Sequence, residues 1–212
     1  MSAEPGLRER KKERTRQQIA EAAHGLFVER GFDAVTVAEV ARAADVSQGT
    51  VFNYFATKEE LFYGGMEVFE AQLVEAVRER PAGEPVPAAF QRFVLERSSR
   101  LAKEEVAEVI SLAARVIEGS PALQARERQI VAEYTQALAD VIAEEQGPRS
   151  RPVEAWAVAN ALMGVQRALV EHVRSRVLAG VQGRRLAAEV RAEGKRAFAR
   201  LEAGLADYGT KR

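Results

Sequence analysis

The chain has no cysteine, and His24 and His172 are its only histidines. Disulfides and thiolate metal sites are thereby excluded, and two isolated histidines without metal-ligand spacing make no metal centre. No cofactor is expected either. The want of cysteine fits a reducing compartment, and a cytoplasmic location is expected. No apolar run is long enough to span a membrane, and the N-terminus lacks the apolar core of a signal peptide. Surplus charge is also missing: 31 Lys and Arg balance 31 Asp and Glu, and residues 1–61 hold nine basic against ten acidic side chains. Indiscriminate binding to DNA depends on neutralising phosphates, so the balance argues against it. Neither a G-x-S-x-G nor a phosphate-cradling glycine loop occurs. The adjacent carboxylates Glu104-Glu105 and Glu144-Glu145 do not converge on one point when helical, which leaves the enzyme reading poor.

Alternating β-branched runs are absent, and the chain is expected to be all-α with about nine helices. Proline is scarce, and none lies between Pro5 and Pro81. That leaves the first part of the chain unbroken. Pro81, Pro85 and Pro87 bracket one loop, Ser120-Pro121 caps a helix start, and Pro148 and Pro152 bracket another loop. The punctuation predicts helices near 87–103, 105–117, 121–145, 153–179 and 184–207.

The most informative stretch is Thr36–Phe55, T-V-A-E-V-A-R-A-A-D-V-S-Q-G-T-V-F-N-Y-F. Thr36 and Glu39 form a capping box, so a helix starts there with Val37, Val40, Ala41 and Ala44 inward. Asp45-Val46 stops it, and Ser47 caps the next helix. That second helix has Val51 and Phe55 as its core residues and presents Gln48, Thr50, Asn53 and Tyr54 outward. A short helix with one buried edge and a polar face suits the DNA major groove, and the pair reads as a helix-turn-helix. Upstream, Arg8, Arg10, Lys11, Lys12, Arg14 and Arg16 make a basic arm, followed by a helix with Ile19, Ala22, Ala23, Leu26 and Phe27 inward and Gly31 as its stop. Downstream, Thr57 and Glu60 repeat the capping box before a long helix. Lys58 in the first turn of that helix opposes the helix dipole, a mismatch that contact with a phosphate would offset.

In these residues Arg14–Leu61 resembles the N-terminal domain of the TetR family of transcriptional regulators, through G-F-D-A-V-T-V-A-E-V-A and V-S-Q-G-T-V-F-N-Y-F-A-T-K-E-E-L. The resemblance spans under a quarter of the chain. It implies that Gln48, Gly49, Thr50, Phe52 and Asn53 lie at the DNA with the capping Ser47, and that Thr36, Tyr54 and Lys58 meet phosphates. Arg14 and Arg16 of the basic arm are expected at the DNA as well. Two residues depart from the pattern: Ala38 stands where many members carry a basic residue, and Phe52 where many carry tyrosine. The expected division is a DNA-binding head at 1–61, with 1–7 a disordered tail, and a helical effector-binding and dimerisation domain at 62–212. Ile117–Arg126 more weakly resembles the effector domain of the family's mycofactocin-type branch.

The 62–145 helices are rich in aromatic and aliphatic residues, which by themselves read as core. The resemblance places a small-molecule cavity there, with Met66, Phe69, Phe90, Phe93, Ile110, Ala114, Arg115, Tyr134, Trp156, Asn160 and Met163 as candidate lining residues. Arg115, Glu118, Asn160 and Gln166 are its polar candidates. The 153–179 helix is apolar on more than one face and needs cover on two sides. A two-fold homodimer supplies it, with Ala161, Gly164, Leu169, His172, Val173, Phe198, Leu201 and Leu205 expected at the interface. Gly64-Gly65 is expected to act as a hinge between head and effector domain. The resulting expectation is a homodimeric, ligand-responsive repressor on near-palindromic operator DNA, released by a small apolar or amphipathic molecule. The alternative is a helical ligand-binding or interaction protein with a vestigial head.

Overall fold

Caps and prolines decide where each helix begins. The computed structural model describes residues 6–147 and 151–205. Among these residues there are nine α-helices, one 3-10 helix and no strand. The helices are α1 (Leu7–Arg30), α2 (Val37–Ala43), α3 (Gln48–Tyr54), α4 (Lys58–Arg78), α5 (Val86–Arg97), α6 (Glu104–Glu118), α7 (Pro121–Gln146), α8 (Pro152–Leu178) and α9 (Gly183–Leu205), with the 3-10 turn at Ser98–Ala102. The stretch expected to be α-helical through 103 changes at Ser98, whose hydroxyl donates to Leu95 O at 2.6 Å. A side chain that bonds its own backbone in this way competes with the helix ladder. The basic arm is helical, forming the opening turns of α1. The expected disordered tail lies mostly outside the described residues, and Leu7 already belongs to α1.

The chain divides into two compact units, Met1–Met66 with Arg115–Glu127, and Glu67–Ala114 with Arg128–Arg212. The first is larger than the expected 1–61 head because it includes the α6–α7 corner. Ser120 Oγ donates to Asp33 Oδ1 at 2.9 Å, and the Tyr63 hydroxyl donates to Leu123 O at 3.1 Å. Its core is Ile19, Ala23, Phe27, Phe32, Val35, Val40, Val51, Phe55 and Leu61, all buried. Phe32, just beyond the Gly31 stop, packs its ring 5.0 Å from that of Phe27.

The second unit is built on α8 and α9, which pack on each other, while α5 packs on both. Gly194 permits that approach: a Cβ there would lie 2.7 Å from Leu95 Cδ2 and 3.4 Å from Leu169 Cδ1. Phe90, fully buried, meets Phe198 with ring centroids 6.0 Å apart. Two residues beyond α4, Arg80 is only 2% exposed yet well satisfied. It donates to both Glu145 carboxylate oxygens, at 2.9 and 2.5 Å, and to Val77 O and Glu84 O, each at 2.8 Å.

Candidate functional site

The reading helix is held by hydrogen bonds that the sequence specifies locally. The Thr36 hydroxyl accepts from Glu39 N at 3.3 Å, and Glu39 Oε2 accepts from Thr36 N and Oγ1, each at 2.8 Å. These bonds, that to the Thr36 amide first, hold the Glu39 carboxyl down at about 2. Arg30 adds an ion pair to Glu39 at 2.8 Å. The turn after α2 is a Schellman motif: Val46 N donates to Ala41 O at 2.9 Å and Asp45 N to Arg42 O at 3.2 Å. Asp45 occupies its left-handed position at φ 52°, where glycine is the usual residue. Ser47 Oγ then accepts from Thr50 N at 3.0 Å and lies 2.8 Å from Thr50 Oγ1. Whichever hydroxyl donates, one hydroxyl proton stays available to an outside acceptor.

Behind this frame Val51 and Phe55 are buried, while Gln48, Gly49, Phe52 and Asn53 are exposed, Phe52 to 49%. Tyr54 is half-buried. Gly49 has no internal reason to be glycine, since a Cβ there would meet only Ser47 Oγ, at an ordinary 3.8 Å. Of the expected cations, Arg14 is exposed. Arg16 is half-buried, with its guanidinium 4.8 Å above the Phe55 ring and beside Gly64, whose Cβ would lie 3.4 Å from Arg16 Nη2. That contact gives Gly64 a packing role alongside the hinge expectation. Lys58 Nζ stands 4.1 Å from the Phe32 ring centroid, and burial lowers its pKa. The cation that looked misplaced against a helix dipole therefore has a ring partner inside the unit.

Arg42 is a further cation of this unit, without a role in the turn pattern itself. It is exposed one turn after Ala38 on the same face of α2. With Ala38, Asp45, Ser47 and Gln48 it lines an open concavity between α2 and α3. The signal was there in the i, i+4 spacing from Ala38.

The expected ligand residues do not share one environment. In the second unit Phe90, Ala114 and Met163 are buried, while Phe69, Phe93, Ile110 and Tyr134 are half-buried. Met66, the last residue of the first unit's leading segment, is half-buried. Phe69 and Phe93 meet at 5.6 Å between centroids, and Arg97 lies over both rings at 5.3 and 4.9 Å. Arg115, Trp156 and Asn160 are exposed, which corrects their placement as lining residues. On α8 the buried stripe is Ala155, Val158, Ala159, Leu162, Met163, Gln166, Leu169, Val173 and Val177. Trp156 and Asn160 fall opposite it, and Asn160 Nδ2 donates to Trp156 O at 2.8 Å. Of the four polar candidates only Gln166 is buried, with its Oε1 lacking a partner.

The outer stripe of α8 carries Val153 at 81% exposure, Trp156 at 41%, Ala161 and Gly164. Leu169, Val173 and Phe198, expected at a dimer interface, are instead buried in the core of their own unit. Leu201 packs against that core, and His172 is half-buried with Nε2 enclosed and unpartnered. The Leu205 side chain lies outside the described residues.

Residues 19–63 match the family described as bacterial regulatory proteins, tetR family, and residues 84–206 match the MftR C-terminal domain. The HTH-type transcriptional regulator TcmR of Streptomyces glaucescens is 35% identical over 147 residues, covering 68% of this chain and 65% of TcmR. The chain thus spans just under two thirds of that relative. The putative mycofactocin biosynthesis transcriptional regulator MftR of Mycobacterium tuberculosis is 28% identical over 170 residues, covering 77% and 81%. Among solved structures, NalD, the secondary repressor of the MexAB-OprM multidrug efflux pump in Pseudomonas aeruginosa, aligns with TM-score 0.55 at 20% identity over 90% of this chain and 96% of NalD. FadR of Bacillus subtilis in complex with stearoyl-CoA aligns with TM-score 0.53 at 20% identity, over 86% and 97%. At such identities the solved structures speak for the fold.

Proposed function

Because the chain belongs to the TetR family of bacterial regulatory proteins, we propose that it is a homodimeric repressor that leaves its operator when a small molecule binds the helical domain. The observation that carries this reading is the outward face of α3: Gln48, Gly49, Phe52 and Asn53 exposed, on a helix whose rear is fixed by Val51. Glycine inside a helix costs about 1 kcal/mol relative to alanine. Nothing within the chain requires it at Gly49, so the requirement comes from an external surface that approaches closely. A DNA major groove is such a surface. Gln48 and Asn53 read base edges, Phe52 meets a thymine methyl, and the Ser47–Thr50 pair supplies a hydroxyl donor. Thr36, Tyr54, Lys58, Arg14 and Arg16 serve phosphates.

Arg42 joins that set and supplies the positive charge that Ala38 lacks. A second copy of the chain covers the exposed Val153, Trp156 and Gly164 together with the half-buried Ala161, since exposed apolar residues mark an interaction surface. Two-fold pairing sets the two reading helices about 34–36 Å apart on a near-palindromic site in the cytoplasm. The effector is apolar or amphipathic and enters the aromatic-rich layer of the helical domain.

Ala38 favours a second reading, a helical ligand-binding protein with a vestigial head. Gel-shift on DNA upstream of the protein's own gene separates the two. Sequence-specific binding that disappears in Thr50→Ala/Tyr54→Ala supports the repressor, and no binding to any fragment supports the second reading. In the same assay Arg42→Ala should weaken binding across sequences and flatten the log K against log salt slope by about 1.

A further inference from the structure

Glu70 stands on the buried stripe of α4, one turn before Leu73 and Val74, and is 2% exposed. Its neighbours along that stripe are aliphatic: Leu73, Val74 and Val77 all belong to the core of the second unit. No hydrogen-bond partner reaches its Oε2. Polar groups do come to this part of the helix, but they bond elsewhere. Tyr134 donates its hydroxyl to Glu67 O at 3.0 Å, and Arg97 Nη2 donates to Gln72 Oε1 at 2.6 Å while its guanidinium covers Phe69 and Phe93. One oxygen of this buried carboxyl thus has no donor within the unit. Buried acceptors are almost always paired, so one that is not calls for a specific cause. Burial alone, with no opposing partner, raises its pKa to about 7.

We infer that Glu70 is the polar anchor of a ligand site and selects apolar molecules that end in a hydrogen-bond donor, a primary ammonium above all. This rests on the effector-binding reading of the helical domain. An ammonium answers the carboxyl with opposite charge in a low-dielectric setting, where charge-assisted bonds are strongest. An alcohol offers a neutral bond. A carboxylate brings a second negative charge or must take up a proton before it can approach. Phe69 and Phe93, half-buried on the neighbouring flank of α4 and on α5, offer apolar surface for the body of such a molecule where Arg97 leaves their rings uncovered.

The probes are three molecules of one shape: 4-phenylbutylamine, 4-phenylbutan-1-ol and 4-phenylbutanoate, each titrated calorimetrically into the full chain. The wild type should bind the amine about tenfold more tightly than the alcohol, a difference of about 1.4 kcal/mol, with the carboxylate weakest. Glu70→Gln, nearly isosteric and expected to keep the fold, should bring the three within about threefold of one another. Glu70→Leu should do the same, with a stability at least equal to that of the wild type. Three results would overturn the inference: a carboxylate that binds as well as the amine, an order of affinities that survives in Glu70→Gln, or no saturable binding of any probe at millimolar concentration. Failure of the gel-shift on upstream DNA would sink the regulatory reading and leave this order of affinities intact.

Discussion

The buried Glu70 carboxyl makes a quantitative demand on stability. In the unfolded chain it titrates near 4.5; in the folded chain burial raises that to about 7. Between the two values the folded protein holds a proton that the unfolded chain has released. More protons are then bound in the folded state, so stability falls as pH rises through this window. Below 4.5 both states are protonated and the group contributes no pH dependence; above about 7 the loss is complete. Each tenfold change in proton affinity corresponds to about 1.4 kcal/mol, which makes the full loss about 3 kcal/mol. At 2% exposure the carboxyl has little solvent screening to diminish it.

Urea unfolding of the wild type and Glu70→Gln near pH 5 and near pH 8, at one protein concentration, isolates the effect. Glutamine cannot titrate, while every other group titrates equally in both proteins, so the difference between the two pH-induced losses belongs to Glu70. The wild type should lose about 2–3 kcal/mol more than Glu70→Gln between these conditions. Parallel losses within about 0.5 kcal/mol would mean that Glu70 is hydrated or paired in solution, and the reasoning would fail. Glu70→Leu should exceed the wild type in stability at the higher pH, because it removes an acceptor without a donor.

Asp45, in the left-handed conformation at φ 52°, should yield to glycine with a gain of about 0.5–1 kcal/mol in unfolding free energy. A loss on denaturation would show that the aspartate side chain contributes more to the turn than its backbone strain costs. Arg80→Ala should cost about 3–5 kcal/mol in a urea titration, because it strands the Glu145 carboxylate and two carbonyls; a cost under about 1 kcal/mol would refute the buried clasp. Gly64→Ala should gain up to about 1 kcal/mol in helix propensity. The added Cβ meets the flexible end of Arg16 at 3.4 Å. Lower stability would show that the Arg16–Phe55 stack cannot shift.

The parts of this protein that were legible in the sequence are those whose cause lies within a few residues. Thr36 with Glu39, Ser47 with Thr50 and the stop at Asp45-Val46 each close on a neighbour three to five positions away, and the structure shows each bond. The second capping box was legible only in half: Glu60 N donates to Thr57 Oγ1, but the returning carboxylate takes the Ala56 amide. Where the cause is tertiary, residue type says less. Charge and position mark Lys58 and Arg16 as cations of the head, but not the phenylalanine ring that each sits against. α8 was misread in phase, because a helix apolar all round does not show which stripe its own core takes. Trp156 was therefore assigned inward and Leu169 outward, the reverse of their burial.

Glu70 is the extreme case. A glutamate in a helix is the most ordinary of surface residues. Helical spacing puts Glu70 in line with Leu73, Val74 and Val77, unlike the exposed Glu75, but spacing alone does not say that its carboxyl finds no donor. Only the packing within the second unit turns one of the two into a buried carboxyl with an unpartnered oxygen. If function acts through residues that the fold places against their chemistry, then a buried acceptor without a donor is a better guide to an effector than the aromatic count of the layer around it. Aromatic side chains are needed by any core, whereas an unanswered carboxyl destabilises a core unless something binds to it.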